Sequence, residues 1–298
     1  MPVTQVSVEG FNGGECVLAG DGEGDMGAFL LTDVEGIYDA PVETIRNSHA
    51  FQIGSDFGGL RNLERVVVFG VFIDNSNGSS WQENDSEFRK LWSYTKDSKL
   101  WIETEDSRRY LKVRLREQPE FKPRFDPNQT QMETVTLTLV AGDPWWYDTE
   151  EVDEWVSTVD TSSGSTTTGT VTVSNPTDNP VWLKWMIQAP GKPTLPDFSF
   201  GDDRFERAQI DAARQIVMPL MQTNEHVRVD TDEQAIGGQC VSSTDSAYYM
   251  RMGGVTFCYP LPAYTAPINL PVAMSRAPAG VGIQVRCERP FSRPFGLL

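Results

Sequence analysis

The sequence predicts a mainly β protein of two β-sandwich domains, the first carrying one α-helix and the second built as a sandwich or jelly roll. Three observations carry this. Apolar and polar residues alternate with period two through most of the chain, as in half-buried strands. An apolar stripe at helical spacing occurs once, at Phe88, Leu91 and Trp92. A tract rich in serine, threonine and glycine, without large apolar residues, separates two β-rich halves.

Residues Leu63 to Tyr147 read as one block: an apolar strand, a capped helix, a strand hairpin, a proline-rich excursion and a closing strand. In the helix, expected near residues 85–96, Asn84 is placed to cap and Glu87 to complete a capping box. Its apolar face is too narrow for full burial, so it should lie across an open end of the sandwich. The hairpin runs from Leu100 to Leu115 and turns at Glu105-Asp-Ser-Arg108, with Leu111, Val113 and Leu115 on one face. In the closing strand, Val135, Leu137 and Leu139 alternate with Thr134, Thr136 and Thr138 before Gly142-Asp-Pro-Trp-Trp-Tyr147 ends it. Three aromatics at that point would pin the exit of a domain.

The polar tract places the domains at 1–156 and 171–298, with a linker at 157–170 around Ser162-Ser-Gly-Ser-Thr-Thr-Thr-Gly169. Beyond it, short strands are expected at Thr170–Val173, Val181–Ile187, Arg214–Met218, His226–Asp230, Tyr248–Met252 and Val281–Arg286. A short helix is expected over Asp202–Ala213. Val181, Leu183, Trp185 and Ile187 should face a core, which turns Trp182 outward, to a partner, a sugar or a partly buried edge.

With 298 residues, each domain is large enough to bury its own core. Hydrophobic residues at 39% and charged residues at 22% exclude wholesale disorder. The longest apolar run, Val66 to Ile73, is far below the roughly 20 residues of a membrane-spanning helix. Met1-Pro-Val-Thr-Gln lacks the basic and apolar regions of a secretory signal, which predicts folding in a cytoplasm. The net charge is −17, from 25 basic and 42 acidic residues, and disfavours sequence-specific binding of nucleic acid. Between Glu9 and Glu43 stand nine acids and no base. They form either a solvated surface or a wall past which DNA slides without sticking.

No constellation for chemistry emerges, so catalytic, cofactor and metal residues are all read as none. Cys16, Cys240, Cys258 and Cys287, with His49 and His226, lack the short spacings of a zinc site. Cys287 continues the alternation Val281, Ile283, Val285 and reads as a small buried apolar residue. Ser93-Tyr-Thr-Lys96 matches the Ser-x-x-Lys pattern of acyl transferases, but the partner motifs are missing. Asp21-Gly-Glu-Gly-Asp25 alternates acids and glycines as a calcium loop does, yet Thr32 holds the position where a bidentate acid is required. Abundant carboxylates leave a glycosidase pair open to counting alone.

Several segments together resemble the N-terminal domain of the distal tail proteins of phages with long non-contractile tails. They are Gly36…Pro41, the arginine-led strand Arg65-Val-Val-Val-Phe69, the helix Glu87–Tyr94, the hairpin Leu100–Leu115 and Gly142-Asp-Pro-Trp145. In the second half, Val173-Ser-Asn-Pro176, Arg214–Met218, Val227–Thr231 and Arg289-Pro-Phe-Ser-Arg-Pro-Phe295 resemble the galectin-like domain of the same family. The acidic N-terminal stretch and the tryptophan-rich exit resemble versions from actinobacterial phages. The resemblance implies a ring, usually a hexamer, at the virion tail tip, assembled in the host cytoplasm. That ring joins the tail tube protein to the tail hub protein and contacts tape-measure and receptor-binding proteins. DNA passes through without specific binding, there is no membrane insertion, and no catalysis or cofactor is implied. The competing readings are a carbohydrate-binding module for host attachment, resting on Trp182 and the second sandwich, and a cell-wall hydrolase, resting only on carboxylates.

Overall fold

The computed structural model describes residues 4–31, 33–244 and 246–297. The chain forms two compact units: residues 1–148 together with 291–297, and residues 149–290. Strands dominate both, as the period-two pattern requires.

In the first unit the strands order as Glu15–Ala19, Gln5–Glu9, Ser98–Glu103, Arg108–Leu115, Met132–Ala141, Arg65–Asp74 and Ala28–Leu30. Arg65–Asp74 pairs antiparallel with Met132–Ala141 along all ten residues, Phe69 opposite Leu137. One face of this pair, Val67, Phe69, Val71, Ile73, Val135, Leu137 and Leu139, is buried in the core. The alternation in sequence thus records one face against the core and one toward water. The 98–115 hairpin turns one residue earlier than expected, with Glu103 paired to Arg108 and Thr104 N–H donating to Ser107 O at 2.8 Å.

The helix spans Trp81–Lys90, and its cap is Ser80 with Glu83 completing the capping box. The expected cap, Asn84, is buried within the helix instead. Both Ser80-x-x-Glu83 and Asn84-x-x-Glu87 satisfy the capping pattern. The earlier one wins because Asn84 Nδ2 donates to Asp74 O at 2.7 Å and to Asn77 Oδ1 at 2.8 Å, tying the helix to the preceding turn. Phe88, Leu91 and Trp92 are buried as their spacing predicted, and Trp92 packs against Phe69 with ring centroids 6.3 Å apart. A single helical turn, Pro127–Thr130 with Asp126 as cap, makes this helix not the unit's sole one. Trp146 is fully buried and its indole donates to Ile37 O at 3.0 Å, so the aromatic exit does pin the end of the unit.

The second unit packs two antiparallel sheets around one core. The first orders as Glu151–Val156, Gly282–Cys287, Lys184–Ile187, Val227–Asp230 and Cys240–Ser242; the second as Thr166–Asn175, Thr265–Ser275, Lys192–Pro196 and Gln215–Val217. Val181, Leu183, Trp185 and Ile187 are buried, and so is Cys287, whose thiol burial pushes up to about 12. Two expectations fail locally. Tyr248–Arg251 is a helical turn rather than a strand, because the Tyr248 ring is buried and its hydroxyl donates to Pro219 O at 2.6 Å. Residues 202–213 form successive turns rather than a helix, bound by Tyr259 donating to Asp211 at 2.6 Å and by the Arg214–Asp197 ion pair.

The proposed linker is part of this sandwich. Ser157 and Thr161 are buried, Ser157 N–H donates to Val281 O at 2.9 Å, and Thr161 Oγ1 donates to Ala277 O at 3.1 Å. From Thr166 the chain is a ten-residue strand paired with Thr265–Ser275. Gly169 is required there because a Cβ would lie 1.9 Å from the Trp155 indole nitrogen. A polar composition without large apolar anchors is equally that of a strand with one wet face, and here long-range pairing decides. The break falls at Asp148/Thr149, not at 157–170, and the first unit ends there rather than at 156.

Glu225 links the loops at one end of the second sandwich. Its carboxylate is an acceptor for the Arg251 guanidinium and the Ser246 hydroxyl, and for Gln222 N–H at 2.9 Å, in a nearly water-free position. The Arg251 hydrogen bond in particular holds the carboxyl down to about 2 from an ordinary 4.5. A carboxyl lowered in the folded state contributes fully above pH 4.5 and loses that contribution as pH falls toward 2. Urea midpoints of Glu225→Gln are therefore expected to fall less steeply than wild type across that window, with a neutral-pH deficit of about 1–3 kcal/mol. Parallel curves for the two proteins would refute the assignment.

Candidate assembly interface

A strongly exposed ordered element lies in a stretch to which the sequence assigned no element. Val42–Asn47 and Asp56–Asn62 form a two-stranded sheet that pairs with no other strand among the described residues, and Gly59 alone among their residues is not exposed. Val42 and Leu60 share one face, since Val42 lies opposite Asn62 and Thr44 opposite Leu60. Ile45, opposite Gly59, occupies the other face. At the tip Phe51 and Ile53 are wholly solvent-exposed, and Phe57 is 63% exposed. A lone hairpin is at best marginally stable in water. Apolar side chains stand exposed on both faces of this arm, and patches of that kind are typical of interaction sites.

The root of this arm is fixed by Arg65, which is 1% exposed. Its Nη1 donates to the carbonyls of Gly36, Tyr38 and Asp39 at 2.9, 3.2 and 3.3 Å, in the bent segment that leads into the arm. Its Nε donates to Pro144 O at 2.8 Å and its Nη2 to Ser292 O at 2.8 Å. Leu63 N–H closes the base on Pro41 O at 3.0 Å. A planar guanidinium is suited to this because its five N–H groups point in fixed, divergent directions. Burial pushes Arg65 down to about 10, so it remains charged at neutral pH. Gly36 itself has φ +78, and a Cβ there would meet Val66 O, so only glycine lets the entering segment come this close.

Four segments that carried the resemblance, Gly36…Pro41, the strand beginning at Arg65, Gly142–Trp145 and the 289–295 run, thus meet at one guanidinium. The sequence marked Arg65 only as the head of a strand. In the fold five distant carbonyls surround and bury it. The arm was missed because neither of its faces is buried by its own chain, which leaves no alternation to detect.

The other singled-out residues sort plainly. Ser93 Oγ accepts from Thr95 and Lys96 N–H at 3.1 and 3.3 Å in a turn after the helix, and Lys96 lies over the Phe11 ring, so no activated serine forms. In the acidic loop, Asp25 accepts from Val17 N–H at 3.1 Å and Glu23 from Gly20 N–H at 3.2 Å; Thr32 lies outside the described residues. Among the described residues no group of three or more His, Cys, Asp and Glu could hold a metal. Two of the nine N-terminal acids have bases from afar, Glu9 with Lys99 at 2.9 Å and Asp39 with Arg293 at 2.7 Å. Trp182 is half-buried, the edge-residue reading. No helix among the described residues is long and apolar enough to cross a membrane.

The architecture, a sheet unit with one long helix among the described residues followed by a two-sheet sandwich, is that of a solved phage protein. The Dit protein of phage SPP1, described as a paradigm of the hub adsorption apparatus in phages infecting Gram-positive hosts, superposes with a TM-score of 0.56. The match has 14% identity and covers 97% of this chain and 99% of that one. The Gp27 minor tail proteins of Mycobacterium phages L5 and D29 are each 30% identical over 342 aligned positions, covering 99% of this chain and 98% of theirs. No protein-family model matches the chain. The chain belongs to the family of mycobacteriophage minor tail proteins, and its role is structural rather than enzymatic.

Proposed function

We propose that this protein is the distal tail adaptor of its virion, a ring at the tail tip that joins the tail tube protein to the tail hub. The arm at 42–62 carries this reading: a heterologous ring contact needs two different patches on one chain, and an uncovered apolar arm with a clamped root supplies one of them. The first unit forms the ring, with six copies expected from the resemblance. The second unit offers its surface to receptor-binding proteins, and the tape measure and then DNA occupy the passage. The surplus acids of the first unit, of which Glu15, Asp21, Glu23, Asp33, Glu35 and Glu43 are exposed, are assigned to that passage. There they repel phosphate over a range of about 8 Å at physiological ionic strength. Reconstruction of the virion tail tests both statements. The expected map has six copies around the axis, each arm on its neighbour, and a net acidic lumen. A monomeric peripheral decoration would sink the first statement, and a lumen with as many Lys and Arg as Asp and Glu the second.

A further inference from the structure

After the whole of the second unit has been traversed, seven residues of the chain belong again to the first. Phe291 is buried in that unit's core, and Phe295 and Leu297 pack against it. The main chain of this segment is held by two buried guanidiniums. Arg65 donates to Ser292 O at 2.8 Å, and Arg109, which is 0% exposed, donates to Arg293 O at 2.9 Å and Gly296 O at 2.8 Å. The Arg109 guanidinium carbon also lies 3.4 Å from the centroid of the Phe291 ring. Outside the cleft, Arg293 reaches Asp39, and the Phe295 ring packs 5.5 Å from that of Tyr38.

Phe291 enters in a two-residue strand that pairs with Trp146–Tyr147, and beyond it the segment is held through carbonyl acceptors and apolar side chains, which is the chemistry of a peptide site. Removing the segment would take one carbonyl acceptor from Arg65 and two from Arg109 and would empty the place of the Phe291 ring in the core, a cavity that destabilises strongly. Arg65 adds a consequence. The guanidinium that grips Ser292 O is the one that holds Gly36, Tyr38 and Asp39 at the root of the arm.

We propose that the first unit contains a cleft for an extended peptide, filled by the chain's own residues 291–297, and that occupancy of this cleft sets the arm, so that the first unit becomes competent to assemble only after the second has been synthesised. The assembly half of this statement rests on the ring reading above; the cleft does not.

A specific protease site placed between Glu288 and Arg289 of the full chain tests it. After cutting, the released segment is expected to stay bound and to exchange with a fluorescent synthetic peptide of residues 289–297. A peptide carrying Phe291→Asp and Phe295→Asp should bind at least tenfold more weakly. Stripping the segment in mild denaturant should raise amide exchange at 34–39 and 65–74 by at least tenfold and abolish oligomers, and the wild-type peptide should restore both. The cleft is overturned if the wild-type peptide fails to bind the cut protein, or if the stripped protein keeps its protection. If exchange responds to peptide while the intact protein never oligomerises, the cleft stands and the ring reading fails.

Discussion

Replacing Arg65 by alanine is expected to destabilise the first unit by about 3–5 kcal/mol, the largest effect of any single substitution considered for this chain. The side chain is 1% exposed and donates to five main-chain carbonyls from three separate directions. Its loss leaves those carbonyls without their donor in a site that water reaches poorly, and each buried unsatisfied group costs about 1–3 kcal/mol before relaxation. Arg65→Lys should recover only part of the loss, since an ammonium gathers its donors at one point and cannot span the same carbonyls. Urea unfolding followed by tryptophan fluorescence reads this directly, because Trp146 is buried and donates to Ile37 O, between the Gly36 and Tyr38 carbonyls that Arg65 holds. A deficit below about 1 kcal/mol for the alanine variant would mean that the carbonyls find other donors.

Charging the arm should have the opposite profile. Ile45→Asp combined with Leu60→Asp alters two exposed positions on opposite faces of a hairpin that pairs with no other strand among the described residues, so the monomer's stability should change by no more than about 0.5 kcal/mol. In the assembly each aspartate would be buried without a partner. Interface anchors of this kind cost about 2–4 kcal/mol apiece, which weakens each contact by roughly 30- to 1,000-fold. The expected result is a folded monomer that neither oligomerises nor enters tails. Normal assembly of this variant would show that the arm is not the contact, whatever the ring's symmetry. Comparing the two variants separates the causes: Arg65→Ala loses assembly by loosening the root of the arm, and the double aspartate loses it with the root intact.

The correct sequence readings share a cause. The strand at Met132–Ala141, the hairpin face Leu111, Val113 and Leu115, the stripe Phe88, Leu91 and Trp92, and the run to Cys287 all turn one side to their own core. Burial by neighbours close at hand writes itself into the order of apolar residues, so period alone reveals it. Thr265–Ser275 escaped notice because Pro267 and Pro271 interrupt its pattern. Both lie where the strand has a partner on one flank, Lys192–Pro196 meeting only residues 273–275 on the other, so a missing N–H is tolerated. The helix cap was misplaced by four residues because two capping boxes overlap, and only the contact of Asn84 with Asp74 O chooses between them.

By itself the sequence determined the β class, the long helix, the absence of a catalytic motif and the tail-protein resemblance, since each is fixed by local period, composition or motif. Only the tertiary structure decided where the first unit ends, that the Ser/Thr/Gly tract is a paired strand, that residues 42–62 form an uncovered arm, and that Arg65 lies at the meeting of four segments. Those facts depend on partners up to 227 residues apart, as between Arg65 and Ser292, or on the lack of any partner at all. Neither condition leaves a periodic trace, because the physical force involved acts between segments that the chain order does not bring together.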